Sequence, residues 1–184
     1  MRRVSYTAAS SPIGLRTLCW IIVRTEPHRR AWRSMNRSVK PHMDACPFCS
    51  LAQGLPAGGT TSLLYEDEKI VAFKDINPSA YRHYLVIPKE HIPSVYQLRK
   101  GEEHHALVSH MLKTGQTLMQ RDAPAAVKYR FGFHRPPLNS VNHLHLHCLA
   151  LPYSSWWRSF KYLSLGPFGG YVDVNIVLQK LQVG

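Results

Sequence analysis

The chain has 184 residues and a mass of 21.0 kDa, the size of one ordinary domain. Lys and Arg outnumber Asp and Glu 23 to 11 for a formal charge of +12, while 45% hydrophobic and 10% aromatic content excludes a disordered chain. Four cysteines are too few for a disulfide-stapled miniprotein, and no apolar run reaches the roughly 20 residues of a membrane-spanning helix.

The charge is uneven. Residues 1–43 carry nine Lys/Arg and one acid, Glu26, whereas the other 141 residues net only +4. The basic, Ser-containing, acid-poor start fits a mitochondrial or plastid transit peptide. Met43 opens an equally compact chain, in which case residues 1–43 are an alternative start and the protein is cytoplasmic or nuclear. The segment lacks the aromatic or glycine interleaving of a nucleic-acid arm, so no nucleic-acid or membrane partner is expected. The organisation expected is therefore a basic extension at 1–43, a domain at 44–150, and a C-terminal extension at 151–184 packed on it.

Beyond the Gly/Pro/Thr-rich stretch 54–61, two apolar runs at 62–65 and 69–76 flank the acidic turn Glu66-Asp67-Glu68 and predict a hairpin. A strand is predicted over His83–Pro88. A long helix follows from Gly101 to about Gln120, with Leu107, Val108, Met111, Leu112, Leu118 and Met119 at helical spacing and Glu102 and Glu103 at its positive end. Strands are predicted at 128–134 and 141–149. A short C-terminal helix capped by Asp173 carries the stripe Val174, Val177, Leu178 and Leu181. Strands grouped around helices without β-α-β-α alternation give an α+β fold with a mainly antiparallel sheet.

Nine of the eleven histidines lie between His83 and His147, and three of them alternate strictly in His143-Leu144-His145-Leu146-His147-Cys148-Leu149. Side chains of a strand alternate between faces. The segment thus sets three imidazoles on one face and Leu144, Leu146 and Cys148 on the other. Such a row can be a set of buried or solvated histidines, a metal centre, or a covalent catalyst. The nearest acids in sequence, Asp122 and Asp173, are distant, which disfavours a hydrolytic metal site. Neutral imidazole, with a pKa of about 6.5, is a nucleophile toward phosphorus without prior activation.

The motif resembles the signature of the histidine triad (HIT) superfamily. Cys46-Pro47-Phe48-Cys49, the run Ala72 to Pro78 and the run His83 to Ile92 resemble, in order, segments of its Hint branch. The resemblance implies a HIT-like fold and hydrolysis at the α-phosphorus of a nucleoside monophosphate derivative, with a small purine nucleotide as partner. His145 would be the nucleophile. His147 and Ser140 would contact the phosphate and protonate the leaving group, and His143 would orient the central ring. A third histidine at this position, where a transferase branch resembles Gln, favours hydrolysis.

Asp75 matches the ribose-binding acid, and Phe73, Ile76 and Leu64 are candidates for the base pocket. From the residues themselves, Asp75 could equally cap the turn at Asn77-Pro78, and the three apolar residues could be ordinary core. The loop before the triad departs from the glycine-rich family form, with Pro136-Pro137. His134 and Arg135 in it are expected to bind an anionic leaving group such as sulfate. No cofactor is expected for catalysis. A structural zinc is expected from the resemblance on Cys46, Cys49, His83 and His143, the alternative being a reduced thiol pair. A homodimer is left open. The competing function is a nucleotide- or zinc-binding regulatory protein with vestigial catalysis; a DNA end-processing role lacks the C-terminal zinc finger it would want.

Overall fold

The computed structural model describes residues 46–54, 62–166 and 169–182. Residues 1–43 lie outside them, and with them the expectations for a transit peptide and an alternative start. The chain order is α1 (Pro47–Ala52), β1 (Leu63–Glu66), β2 (Ile70–Lys74), β3 (Ala80–Pro88), a 3-10 turn (Val95–Gln97), α2 (Glu102–Asp122), β4 (Tyr129–His134), β5 (Leu146–Tyr153), α3 (Trp156–Ser159), a 3-10 turn (Phe160–Tyr162), β6 (Tyr171–Asp173) and α4 (Val174–Leu181). Among the described residues six strands form one antiparallel sheet in the order β1-β2-β3-β5-β4-β6. The α+β, mainly antiparallel architecture expected from the sequence is what the chain adopts.

Alternation along the strands separates two faces. Ala72, Tyr84, Val86, Leu144, Leu146 and Cys148 point to the main core, where α2 buries Val108, Met111, Gly115, Leu118 and Met119 on one helical face. The capped α4 adds Val174, Val177 and Leu181; the Asp173 carboxylate accepts from the Asn175 N–H at 2.9 Å. Close approach of α2 to β5 requires Gly115, since a Cβ there would stand 2.5 Å from the Cys148 Sγ. The opposite face carries a small cluster beneath α1 at one end (Val71, Phe73, Leu85 and Ile87 with Leu51) and Leu149, Tyr162 and Tyr171 at the other. The histidines lie between these two packed ends.

The residues after 150 belong to the architecture. β5 continues to Tyr153, so a boundary at 150 falls inside a strand. β6 then pairs with β4, where Gly132 is needed because a Cβ would run into the Val172 carbonyl oxygen. Arg158 of α3 donates to the Asn77 carbonyl, to Asn77 Oδ1 and to Ser79 Oγ, tying the tail to the turn between β2 and β3.

The strand predicted over 141–149 begins only at Leu146. Ahead of it the backbone groups are used differently. The Leu144 N–H donates to the Ile92 carbonyl at 2.6 Å, and the His143 carbonyl accepts from the His145 ring. The alternation of faces survives without the ladder.

Candidate active site

His145 and His147 are buried, with rings 4.9 Å apart and inclined by 69°. Their tautomers follow from what each ring nitrogen touches. His145 Nδ1 lies 2.5 Å from the His143 carbonyl oxygen, so this nitrogen carries the hydrogen and Nε2 keeps its lone pair. His83 Nδ1 accepts from the Ser79 backbone N–H at 3.2 Å, which puts the His83 hydrogen on Nε2. That N–H meets His147 Nδ1 at 2.8 Å, with Asp75 Oδ2 3.4 Å away. His147 Nδ1 is therefore an acceptor, and in the neutral ring Nε2 carries the hydrogen. Neither His145 Nε2 nor His147 Nε2 has a hydrogen-bond partner among the described residues. A bare lone pair and an N–H donor thus stand side by side.

Electrostatics keep the rings in this form. Burial pushes His83 down to about 4, against the pull of Asp75. Burial also holds His145 below its ordinary value, only partly offset by the His143 carbonyl and Asp75. His147 lies well below, through burial first and then the neighbouring His145, His134, His83 and Lys161. All three are neutral near pH 7, the state in which imidazole is a nucleophile or a hydrogen-bond donor rather than a fixed cation.

A cleft of about 370 Å3 opens in front of His147, walled by Asp75, Ile76, Ser140, His134, Lys161 and Tyr162, among others. Asp75 plays both parts that its sequence position allowed. Its Oδ1 caps the turn by accepting from the Asn77 N–H at 2.7 Å, while Oδ2 faces His83. Ile76 is 93% exposed at the mouth, and Ser140 lines the wall. His134 lies 4.4 Å ring to ring from His147, and its Nε2 meets the Lys161 carbonyl at 3.0 Å.

Two expectations, for Leu64 and Arg135, are corrected, and Phe73 is placed beside Phe48. Leu64 does not share the site's face: the register pairs Leu63 with Phe73, so alternation turns Leu64 to the α2 core. Phe73 is buried in the cluster under α1, its ring 5.5 Å from that of Phe48, which in turn lies 5.5 Å from the His145 ring. Arg135 is turned away from the cleft, giving Nη2 to the Gly166 and Tyr171 carbonyls and its backbone N–H to Gly170. Missed by sequence reasoning were Phe48, which the Cys-x-Phe-Cys motif offers, and Lys161, for which no local signal exists.

A second cluster corrects the metal set. The ligand atoms of Cys46, Cys49, His91 and His143 all lie within 4.8 Å of one another, whereas His83 sits with Asp75 and His147. Antiparallel register decides this. His83 pairs with Leu149, Leu85 with His147 and Val86 with Leu146, so the strand positions facing His143 lie about 20 Å from His83, near His91. Cys46 Sγ and Cys49 Sγ are each 3.5 Å from His143 Nδ1, and Cys49 Sγ is 3.1 Å from His91 Nδ1. The S···N edge of a zinc tetrahedron built from bonds of about 2.3 and 2.1 Å is about 3.6 Å. His143 Nε2 gives its hydrogen to the Pro88 carbonyl at 2.9 Å, leaving Nδ1 free to ligate. Burial, and the neighbouring Cys46, push the Cys49 thiol up to about 11, a repulsion that a cation between the sulfurs would remove. The donor set fits zinc.

Residues 45–162 match the family described as "Scavenger mRNA decapping enzyme C-term binding". A HIT family hydrolase from Legionella pneumophila superposes with a TM-score of 0.52 at 32% identity, over 60% of this chain and 96% of that one. A histidine triad protein from Clostridium difficile does so with a TM-score of 0.50 at 30% identity, over 61% and 97%. The chain belongs to the histidine triad superfamily. It is 55% identical over 138 residues, 75% of this chain and 92% of the other, to the "Bifunctional adenosine 5'-phosphosulfate phosphorylase/adenylylsulfatase HINT4" of Arabidopsis thaliana. It is 38% identical over 139 residues, 74% and 81% of the two chains, to the "Adenosine 5'-monophosphoramidase HINT3" of Mus musculus. Within the superfamily, its place is the Hint branch.

Proposed function

We propose that the protein is a hydrolase acting at the α-phosphorus of nucleoside 5′-monophosphate derivatives, of the adenylyl sulfate and adenosine phosphoramidate types, through a nucleotidyl-histidine intermediate on His145. The observation that carries this reading is the pair of unpartnered buried Nε2 atoms, one bare on His145 and one protonated on His147, the latter ring lining a cleft of nucleotide size. Relatives named as an adenylylsulfatase and an adenosine 5′-monophosphoramidase support the two substrate types.

The His145 Nε2 lone pair attacks the α-phosphorus, forming a P–N bond as the bond to the leaving group breaks and its electron pair departs with that group. The positive charge gained by the His145 ring is borne at Nδ1–H, against the His143 carbonyl. His147 Nε2–H hydrogen-bonds the departing atom, with His83 holding the ring in the required tautomer. An amine leaves from the minor fraction of molecules in which His147 is protonated, the imidazolium giving its Nε2 proton to the nitrogen and ending neutral. Water then enters from the vacated side and bonds phosphorus as His145 leaves neutral. After an amine has departed the water's proton goes to the bare His147 Nε2, and after sulfate it stays on the AMP phosphate and passes to solvent. Ser140 serves the phosphate, and Asp75 Oδ2 accepts from ribose hydroxyls. Ile76 at the mouth covers the base.

Incubation with adenylyl sulfate and with an adenosine phosphoramidate tests the reading. AMP is expected from both. Binding of AMP without turnover of either substrate would overturn it in favour of a regulatory nucleotide-binding protein.

We infer further that Cys46, Cys49, His91 and His143 hold one structural zinc that ties α1 to the first triad histidine. About one zinc per chain is expected by elemental analysis, with a fall in thermal unfolding temperature on chelation. His91→Ala is expected to lose the metal and His83→Ala to keep it. A metal-free protein of unchanged stability contradicts the site, and loss of zinc from His83→Ala contradicts the ligand set.

A further inference from the structure

One cation lines the cleft beside His147. Lys161 is the only Lys or Arg among the described residues lining the cleft, next to His134, whose ring packs 4.4 Å from that of His147. The neighbouring arginines are committed elsewhere. Arg135 is bound to the Gly166 and Tyr171 carbonyls, Arg158 to Asn77 and Ser79, and Arg130 to the Tyr153 hydroxyl. No described carboxylate forms an ion pair with Lys161, whose side chain is exposed to solvent.

Its backbone is nevertheless fixed. The Lys161 carbonyl is held by His134 Nε2 at 3.0 Å, and the next residue, Tyr162, is buried with its ring 5.7 Å from that of His147 and 6.0 Å from that of His83. The α3 segment before it is tied to Asn77 and Ser79 through Arg158. A flexible stem on a fixed backbone can bring the ammonium over the leaving-group side of the cleft. Its charge already opposes protonation of His147 and His134.

We propose that Lys161 is a specificity-determining residue that binds an anionic leaving group, sulfate on an adenylyl substrate, and stabilises the charge it gathers as the phosphorus–oxygen bond breaks. The proposal rests on the functional reading above. As His145 Nε2 bonds the α-phosphorus, the electron pair of the bridging P–O bond passes to sulfate, which leaves as the dianion without taking a proton. An ammonium beside those oxygens lowers the barrier of this step. It offers nothing to a departing amine, which is neutral once protonated by His147. The part assigned to Arg135 in the sequence thus passes to a residue 26 positions later that the tail brings back.

The test compares kcat/KM on adenylyl sulfate and on adenosine phosphoramidate in Lys161→Gln and Lys161→Arg. Lys161→Gln is expected to lose about tenfold or more on adenylyl sulfate and to stay within about twofold on the phosphoramidate. Lys161→Arg is expected to retain most of the sulfate activity. Raising ionic strength should lower the wild-type rate on the sulfate alone. Equal losses of Lys161→Gln on both substrates, or no loss on either, would overturn the role of Lys161 while leaving the hydrolase reading intact. Failure of the wild type on both substrates would overturn that reading instead.

Discussion

His145→Gly is expected to lower turnover of both adenylyl sulfate and adenosine phosphoramidate by at least about 10⁴-fold, the scale on which removing a covalent nucleophile acts. The reason is geometric. Among the described residues, the lone pair of His145 Nε2 and the hydrogen of His147 Nε2 are the two unpartnered imidazole functions of the triad, and only the former is a base. The glycine leaves a hollow beside Phe48, whose ring lies 5.5 Å from that of His145. Free imidazole added to the variant is expected to recover part of the rate by supplying the missing lone pair, while circular dichroism reports that the fold is retained. A folded variant of undiminished activity would remove His145 from the chemistry. A folded, inactive variant that imidazole does not help would limit His145 to a structural part.

The second large effect separates the two substrates. His147→Gln is expected to cost about 10²- to 10⁴-fold on adenosine phosphoramidate, the usual contribution of a general acid, and at most about tenfold on adenylyl sulfate. An amide N–H can still meet the phosphate but cannot surrender a proton. Expelling an amine needs that proton; expelling sulfate, the conjugate base of a strong acid, does not. Paired kcat/KM measurements on the two substrates check this. Equal losses would reduce His147 to a packing residue between His83 and Tyr162. Together with Lys161→Gln, which should injure the sulfate reaction alone, the two variants divide leaving-group departure into a proton donor and a fixed positive charge.

The sequence made the chemistry more legible than its surroundings. Alternation alone predicted that Leu144, Leu146 and Cys148 would face a helix and the three histidines would face away, and the core bears this division. The Asp173 cap and the stripe of α4 were readable for the same reason: both are local. What could not be read locally was pairing. A register one residue off separates Leu63 from Leu64, and the antiparallel offset of β3 against β5 decides between His83 and His91 at the cysteine cluster. Neither follows from a single strand's pattern. Arg135 was a reasonable anion ligand by position, yet its guanidinium is spent on carbonyls of a tail 31 to 36 residues further on. Lys161 reaches the cleft only because β6 and Arg158 return that tail across the sheet end.

Strand limits failed where backbone groups were claimed by something other than a neighbouring strand. The triad segment reads as a strand from 141, but its ladder starts at Leu146 because the His143 carbonyl and the Leu144 N–H are engaged elsewhere. That departure has a chemical use: a carbonyl withdrawn from the sheet is what sets the tautomer of His145. The charge separates in the same way. The part of the chain that carries the triad is only mildly basic, and among the described residues lining the cleft the one positive charge is the ammonium of Lys161 and the one carboxylate is Asp75.

The measurement that reaches the central claim most directly is the stereochemical course at the α-phosphorus. An adenylyl substrate made chiral there by sulfur and oxygen isotopes would be hydrolysed and the configuration of the product determined. Two successive in-line displacements, first by His145 Nε2 and then by water, predict net retention. Net inversion would mean that water attacks the substrate in one step and that no nucleotidyl-His145 lies on the path.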